Sequence, residues 1–226
     1  MLKNLIEAFR GGDALREMLQ RFDQMLDKAD WVFSQTSPDN VSAADLQKVR
    51  NGIYANDRRI NELERSIRYR VLTHLTVNPG EDASTCMMLM VVTKDAERIG
   101  DYCKNIFEVL LYCGASRYAS VHVGELQDVR RKVEQMMPQT RQAFSGGDVI
   151  VAQQVIESAG GISQQTDSLV QQILQAEESP AKEPAAQALL ARHYKRISSH
   201  LSNICSAITS PVDMLGYYYE AGSKKS

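Results

Sequence analysis

The stretch ERIGDYCKNIFEVL, residues 97–110, has an echo further along the chain in KRISSHLSNICSAI, residues 195–208. The two line up with Arg98 against Arg196, Ile99 against Ile197, Asn105 against Asn203 and Ile106 against Ile204. A second pair, LREMLQRFDQMLDKADWVF (15–33) and LQDVRRKVEQMMPQTRQAF (126–144), aligns without gaps and matches Leu15 with Leu126, Gln24 with Gln135, Met25 with Met136 and Phe33 with Phe144. Two such matches in the same order along the chain mark a duplicated supersecondary unit. Six segments carry helical periodicity, at about 12–35, 42–76, 81–114, 121–145, 148–177 and 181–220, and none keeps strand alternation. The repeat sets the first helix against the fourth and the third against the sixth. The chain therefore reads as all-α: two tandem antiparallel three-helix bundles, residues 1–118 and 119–226, each burying its apolar stripes against its sister.

Composition narrows the class. Of the 226 residues 43% are hydrophobic and 24% charged, enough for one large or two small cores and too apolar for a disordered chain. With 26 basic against 28 acidic residues the net charge is -2, so no broad field favours nucleic acid or an anionic membrane, and any partner must be recognised locally. Cys86, Cys103, Cys113 and Cys205 show no CxxC spacing and mostly sit among apolar helical residues, which reads as reduced core thiols in a cytosolic protein. No segment has 18 uninterrupted apolar residues. The opening MLKNLIEAFRGGD is a short amphipathic pattern ended by Gly11 and Gly12, unlike a signal segment or a span but able to dock on a partner. The expectation is a soluble, cytoplasmic protein. Motifs of the GxxxxGK[ST], GxGxxG, GxSxG and HExxH kinds do not occur, so nucleotide and hydrolase chemistry find no support.

Local signals punctuate the helices. Ser42 can cap the second, with Asp45 as the acidic member of a capping box, and the helix ends at VNPG. Glu81 and Asp82 suit the positive end of the third, which stops near Gly114. Prolines and most glycines fall between segments or near their ends, while Gly160 and Gly161 are expected to weaken or bend the fifth helix. His74, His122, His193 and His200 lack metal-ligand spacing and read as surface or packing residues. Met87, Met88 and Met90 read as core filling, and Tyr217, Tyr218 and Tyr219 cannot all face one core.

The third helix turns its main stripe, Val92, Ala96, Ile99, Cys103, Ile106 and Leu110, inward. Glu97 and Asp101, one turn apart, fall on nearly the opposite side, which points to a shallow, solvent-open groove rather than a carboxylate centre inside the bundle. In the second helix Ile53, Ile60 and Ile67 form the stripe, with Asp57 and Asn61 on its flank. Asp57, Asn61, Glu97 and Asp101 could converge as hard oxygen ligands for magnesium, calcium, manganese or iron, and Gly100 would let a helix or a hydrated ion come close. The same spacing is met by ion pairs with Arg58, Arg59 and Arg98.

The duplicated halves and the phrase ERIGD followed by Asn105 and Ile106 resemble the PhoU family of bacterial phosphate-regulatory proteins over nearly the whole chain. That resemblance implies a six-helix fold, a surface metal cluster of iron, zinc or another divalent cation held by Asp57, Asn61, Glu97 and Asp101, and a homodimer. It also implies a non-enzymatic cytoplasmic role, through contact with a phosphate transporter component or a phosphate-sensing histidine kinase. The second half departs from the pattern. Lys195, Arg196, Ile197, Ser198 and Ser199 stand where a second ERIGD is expected, and about Ala159 and Ser163 fall at the other ligand positions, with Glu157 and Asp167 out of register. At most one metal site, in the first repeat, is expected. The alternatives are a metal-dependent enzyme with an open carboxylate site that activates water, and a metal-free helical scaffold or adaptor.

Overall fold

The computed structural model describes residues 13–37, 40, 45–80, 82–113, 123–175 and 182–210. Six helices follow one another: α1 (Asp13–Gln35), α2 (Leu46–Val77), α3 (Ala83–Cys113), α4 (Val123–Gly146), α5 (Val149–Gln175) and α6 (Lys182–Thr209), and no strand occurs among the described residues. Ser42, Glu81, Gly114, His122, the N-terminal segment 1–12, residues 211–220 of the expected sixth helix and the three tyrosines lie outside the described residues. Asp45 occupies the N-cap position of α2 rather than a place inside it, and its side chain makes no capping hydrogen bond.

Each helix buries one apolar face, and the expected stripes of α2 and α3 are buried. In α1, Leu15, Met18, Leu19, Phe22, Met25, Leu26, Ala29, Val32 and Phe33 are buried, spaced by three and four residues along one face. Ile53, Ile60, Leu63, Ile67 and Val71 do the same for α2. The link between α4 and α5 is local. Gly147, at φ +61°, takes the left-handed conformation and the Asp148 N–H returns to the Ala143 carbonyl at 2.9 Å, closing α4 in a Schellman-type turn. Asp148 Oδ1 then accepts from the Ile150 and Val151 N–H groups at 3.0 and 3.1 Å and caps α5.

Within each repeat the third helix packs on the other two, and the repeats join where α3 lies against α6 and α1 against α4. Aromatic contacts cross between the repeats: Phe22 of α1 and Phe144 of α4 are 4.6 Å apart between centroids, and Phe33 of α1 meets Tyr194 of α6 edge-on at 6.2 Å. The buried residues of all six helices form one continuous core. Because α3 has α2 and α1 on one side and α6 on the other, it is buried well beyond its main stripe, and Asp95 and Glu97 are buried with it.

Two local expectations are revised. Pro138 lies inside α4, not near its end, with its ring on an exposed turn where the carbonyl it leaves unpaired can reach water. Of the methionine run, Met88 is buried and Met90 packs against the core, while Met87 is exposed, since three residues so close cannot share one helical face.

Candidate functional site

Of the four expected ligands only Asp57 of α2 and Asp101 of α3 meet across the groove, and they meet through lysine. Lys104 Nζ, three residues beyond Asp101 on α3, lies 2.9 Å from Asp57 Oδ1 and 3.3 Å from Asp101 Oδ1. Burial works against the charge of Lys104, but the hydrogen bond to Asp57 and the negative charges of Asp57 and Asp101 outweigh it and hold the ammonium above the ordinary lysine range. Asp101 also faces Arg98 Nη1 at 3.4 Å through its other oxygen.

Glu97 goes elsewhere. It is 8% exposed, so the expected solvent-open groove is closed at this residue, because α2 covers the side of α3 opposite the main stripe. Its Oε2 lies 2.7 Å from Lys94 Nζ and 3.7 Å from Arg98 Nε. Lys94 reaches on to Glu64 of α2 at 3.8 Å, and Glu64 in turn accepts from Arg68 at 3.2 Å. Glu64 is a carboxylate of this groove that residue spacing did not single out. Asn61, expected beside Asp57, instead helps line a shallow depression of about 380 Å³ with Arg58, Glu62, Glu64 and Arg65.

Gly100 has a packing role. A Cβ built there would come 2.8 Å from Ile60 Cδ1, so the glycine admits a core isoleucine of α2 rather than an ion. Among the described residues no group of three or more His, Cys, Asp or Glu side chains is placed to hold a metal ion. The chemistry of the groove says the same, since a divalent ion between Asp57 and Asp101 would share their oxygens with an ammonium already bonded to both. As arranged, with Lys104 on Asp57 and Asp101 and Lys94 on Glu97, the residues Asp57, Asn61, Glu97 and Asp101 do not fit a metal centre.

In the second repeat the corresponding groove is simpler. Lys195, aligned with Glu97, lies 2.5 Å from Asp167 Oδ2 on α5, and Arg192 stands 3.9 Å from the same carboxylate. The Ser198 and Ser199 hydroxyls both donate to the Lys195 carbonyl at 2.9 Å, so each turns back on its own helix. Ala159 is buried in the core and Glu157 is exposed.

A polar cluster between the repeats was not singled out from the sequence. Asp95, 8% exposed, accepts from Asn203 Nδ2 at 3.0 Å and pairs with His200 Nδ1 at 2.7 Å. The Tyr102 ring stacks on His200 and sits beside His193, both at 5.7 Å between centroids, and its hydroxyl accepts from Arg196 Nε at 3.2 Å. Burial holds His193 below the ordinary histidine range. A signal existed: Asp95 and Tyr102 on α3, and His193 and His200 on α6, each lie seven residues apart and so share a face.

Comparison with known proteins agrees with this architecture. The family model described as the PhoU domain matches twice, over residues 15–110 and 126–208, and the chain belongs to the PhoU family. No curated protein sequence matches it. Among solved structures, the phosphate transport system regulatory protein PhoU from Streptococcus pneumoniae superposes with a TM-score of 0.69 at 18% identity, covering 87% of this chain and 95% of that one. PhoU from Pseudomonas aeruginosa gives a TM-score of 0.69 at 16% identity, with 92% and 97% covered. At such identities the likeness is one of fold. No helix of the described residues is long and apolar enough to cross a membrane.

Proposed function

We propose that this chain is a non-catalytic cytoplasmic regulator of phosphate uptake or phosphate signalling, acting through protein contacts. The observation that carries the reading is the match of both repeats to the PhoU domain, together with a fold shared over 87% of the chain with a phosphate transport system regulatory protein. Physically the role asks for long helices with broad faces open to a partner, and this architecture supplies them. The partners it fits are a phosphate transporter component or a phosphate-sensing histidine kinase, with the chain working as a homodimer. A water-activating enzyme is the weaker reading, because Asp57 and Asp101 are bound to Lys104 and Glu97 to Lys94.

The test is affinity purification of the chain from its own cells, grown with and without phosphate, combined with phosphate uptake in a deletion strain. Recovery of a transporter subunit or a histidine kinase, and altered uptake in the deletion strain, are expected. Recovery of unrelated proteins in both conditions with unchanged uptake would remove the reading.

A further inference from the structure

In the groove between α2 and α3 the charges balance, while Glu97 Oε2, 2.7 Å from Lys94 Nζ, accepts no hydrogen bond. It holds four carboxylates, Asp57, Glu64, Glu97 and Asp101, and each has a cationic side chain within 4 Å: Lys104 for Asp57 and Asp101, Lys94 for Glu97, Arg68 for Glu64. Arg98 adds a second contact to Glu97 and Asp101. Four cations, Arg68, Lys94, Arg98 and Lys104, thus face four anions, and no negative charge is left for a metal ion to neutralise. The arrangement is also mechanical. Lys104, on α3, bonds Asp57 on α2 and Asp101 on its own helix, which is the cross-link a bridging ion would make between the same two carboxylates.

We infer that the chain carries its own cation: the ammonium of Lys104 takes the place of a bound metal between Asp57 and Asp101, so that the first repeat folds and works metal-free. The second repeat reaches the same end independently. There Lys195 brings an ammonium to Asp167 across the equivalent pair of helices, α5 and α6. Each half of the molecule has a lysine closing the groove where the family resemblance would place a metal cluster. The inference does not depend on which partner the chain regulates, and its test reads metal content and unfolding temperature rather than phosphate uptake.

Full-length, untagged chain is purified from cells supplied with iron, zinc and manganese, analysed for metal, and melted with each ion or with a chelator. The wild type is expected to hold sub-stoichiometric metal and to melt at the same temperature throughout. Lys104→Gln, which keeps a hydrogen-bond donor of similar reach without the charge, and Lys104→Ala are expected to gain at least about tenfold affinity for zinc or manganese. In both, added metal should raise the unfolding temperature, and adding Asp57→Asn should abolish the gain. Lys104→Arg, which keeps the charge, should stay metal-free. Circular dichroism confirms which variants are folded. Stoichiometric metal in the wild type that disappears in Asp57→Asn would overturn the inference, as would folded Lys104→Gln and Lys104→Ala proteins that take no more metal than the wild type.

Discussion

At the scale of single residues, Gly100 shows how a rule breaks for a packing reason. A glycine in a helix interior costs about 1 kcal/mol relative to alanine, yet Gly100→Ala would press a methyl group to 2.8 Å from Ile60 Cδ1 in a closed core. Overpacking of this kind costs about 1–3 kcal/mol, so a net loss of roughly 1 kcal/mol is expected for Gly100→Ala. Ile60→Val removes the offending methyl and by itself costs about 0.5–1.5 kcal/mol. The double variant should be more stable than the sum of the singles by at least about 0.5 kcal/mol in denaturant titrations, and strict additivity would refute the close-approach account. The glycine was legible in the sequence as an exception, but its neighbour was not.

The thiols give a second test at this scale. Burial raises Cys205 to about 12 and lifts Cys103 well above the ordinary thiol range. An unfolded thiol titrates near about 8.5. Above that pH the unfolded chain has lost protons that the folded chain keeps, so this contribution to stability is full below about pH 8.5 and declines as pH rises toward the folded values. Denaturant midpoints should therefore fall between pH 8 and 10, and fall less in a Cys103→Ala/Cys205→Ala chain. In the native protein Cys113, half-buried at the end of α3, should react with a thiol reagent ahead of Cys86, Cys103 and Cys205, and all four should react in denaturant.

Helices were the most legible scale because apolar periodicity reports on the helix that carries it. Their starts were blurred where caps decide them: α2 was expected to open at Ser42, and the described helix begins after Asp45 with no side-chain cap to mark the place. The Gly160–Gly161 pair of α5 shows the converse of Gly100. A Cβ at either position would meet nothing within 4 Å, and the helix passes through both without a break. Gly160→Ala and Gly161→Ala should each stabilise the protein by about 0.5–1 kcal/mol, through helix propensity and a less flexible unfolded chain. Thermal unfolding measures this directly, and a lower unfolding temperature for either variant would show that the glycine is held by a close contact after all.

At the scale of the whole molecule, the two three-helix repeats share a single continuous core. Arg141 of α4 grips Asp23 of α1 through two nitrogens, at 2.6 and 2.8 Å, and reaches Asp27 at 2.7 Å, while Asp95 of α3 holds His200 and Asn203 of α6. Unfolding should therefore be one cooperative transition. The fluorescence of Trp31 in the first repeat and the far-ultraviolet circular dichroism of the whole chain should give the same midpoint; separated midpoints would show that the repeats unfold independently. Asp95→Ala leaves a half-buried imidazole and a half-buried amide without their acceptor and should cost about 1–3 kcal/mol.

The sequence by itself determined the duplication, the all-helical class, the inward stripes of α2 and α3, and the loss of both acids at Lys195 and Ser199. All of these are local or periodic properties, and a helix fixes the angular position of every side chain around its own axis. Tertiary structure alone decided what lies opposite each face. The groove closes over Glu97 because α2 covers it, Lys104 rather than an ion spans Asp57 and Asp101, and His200 finds Asp95 because α3 and α6 pair at the joint between repeats. Helical phase says which way a carboxylate points. The charge it meets there comes from a different helix, brought in by packing between residues far apart in the chain, and that choice set the chemistry of the site.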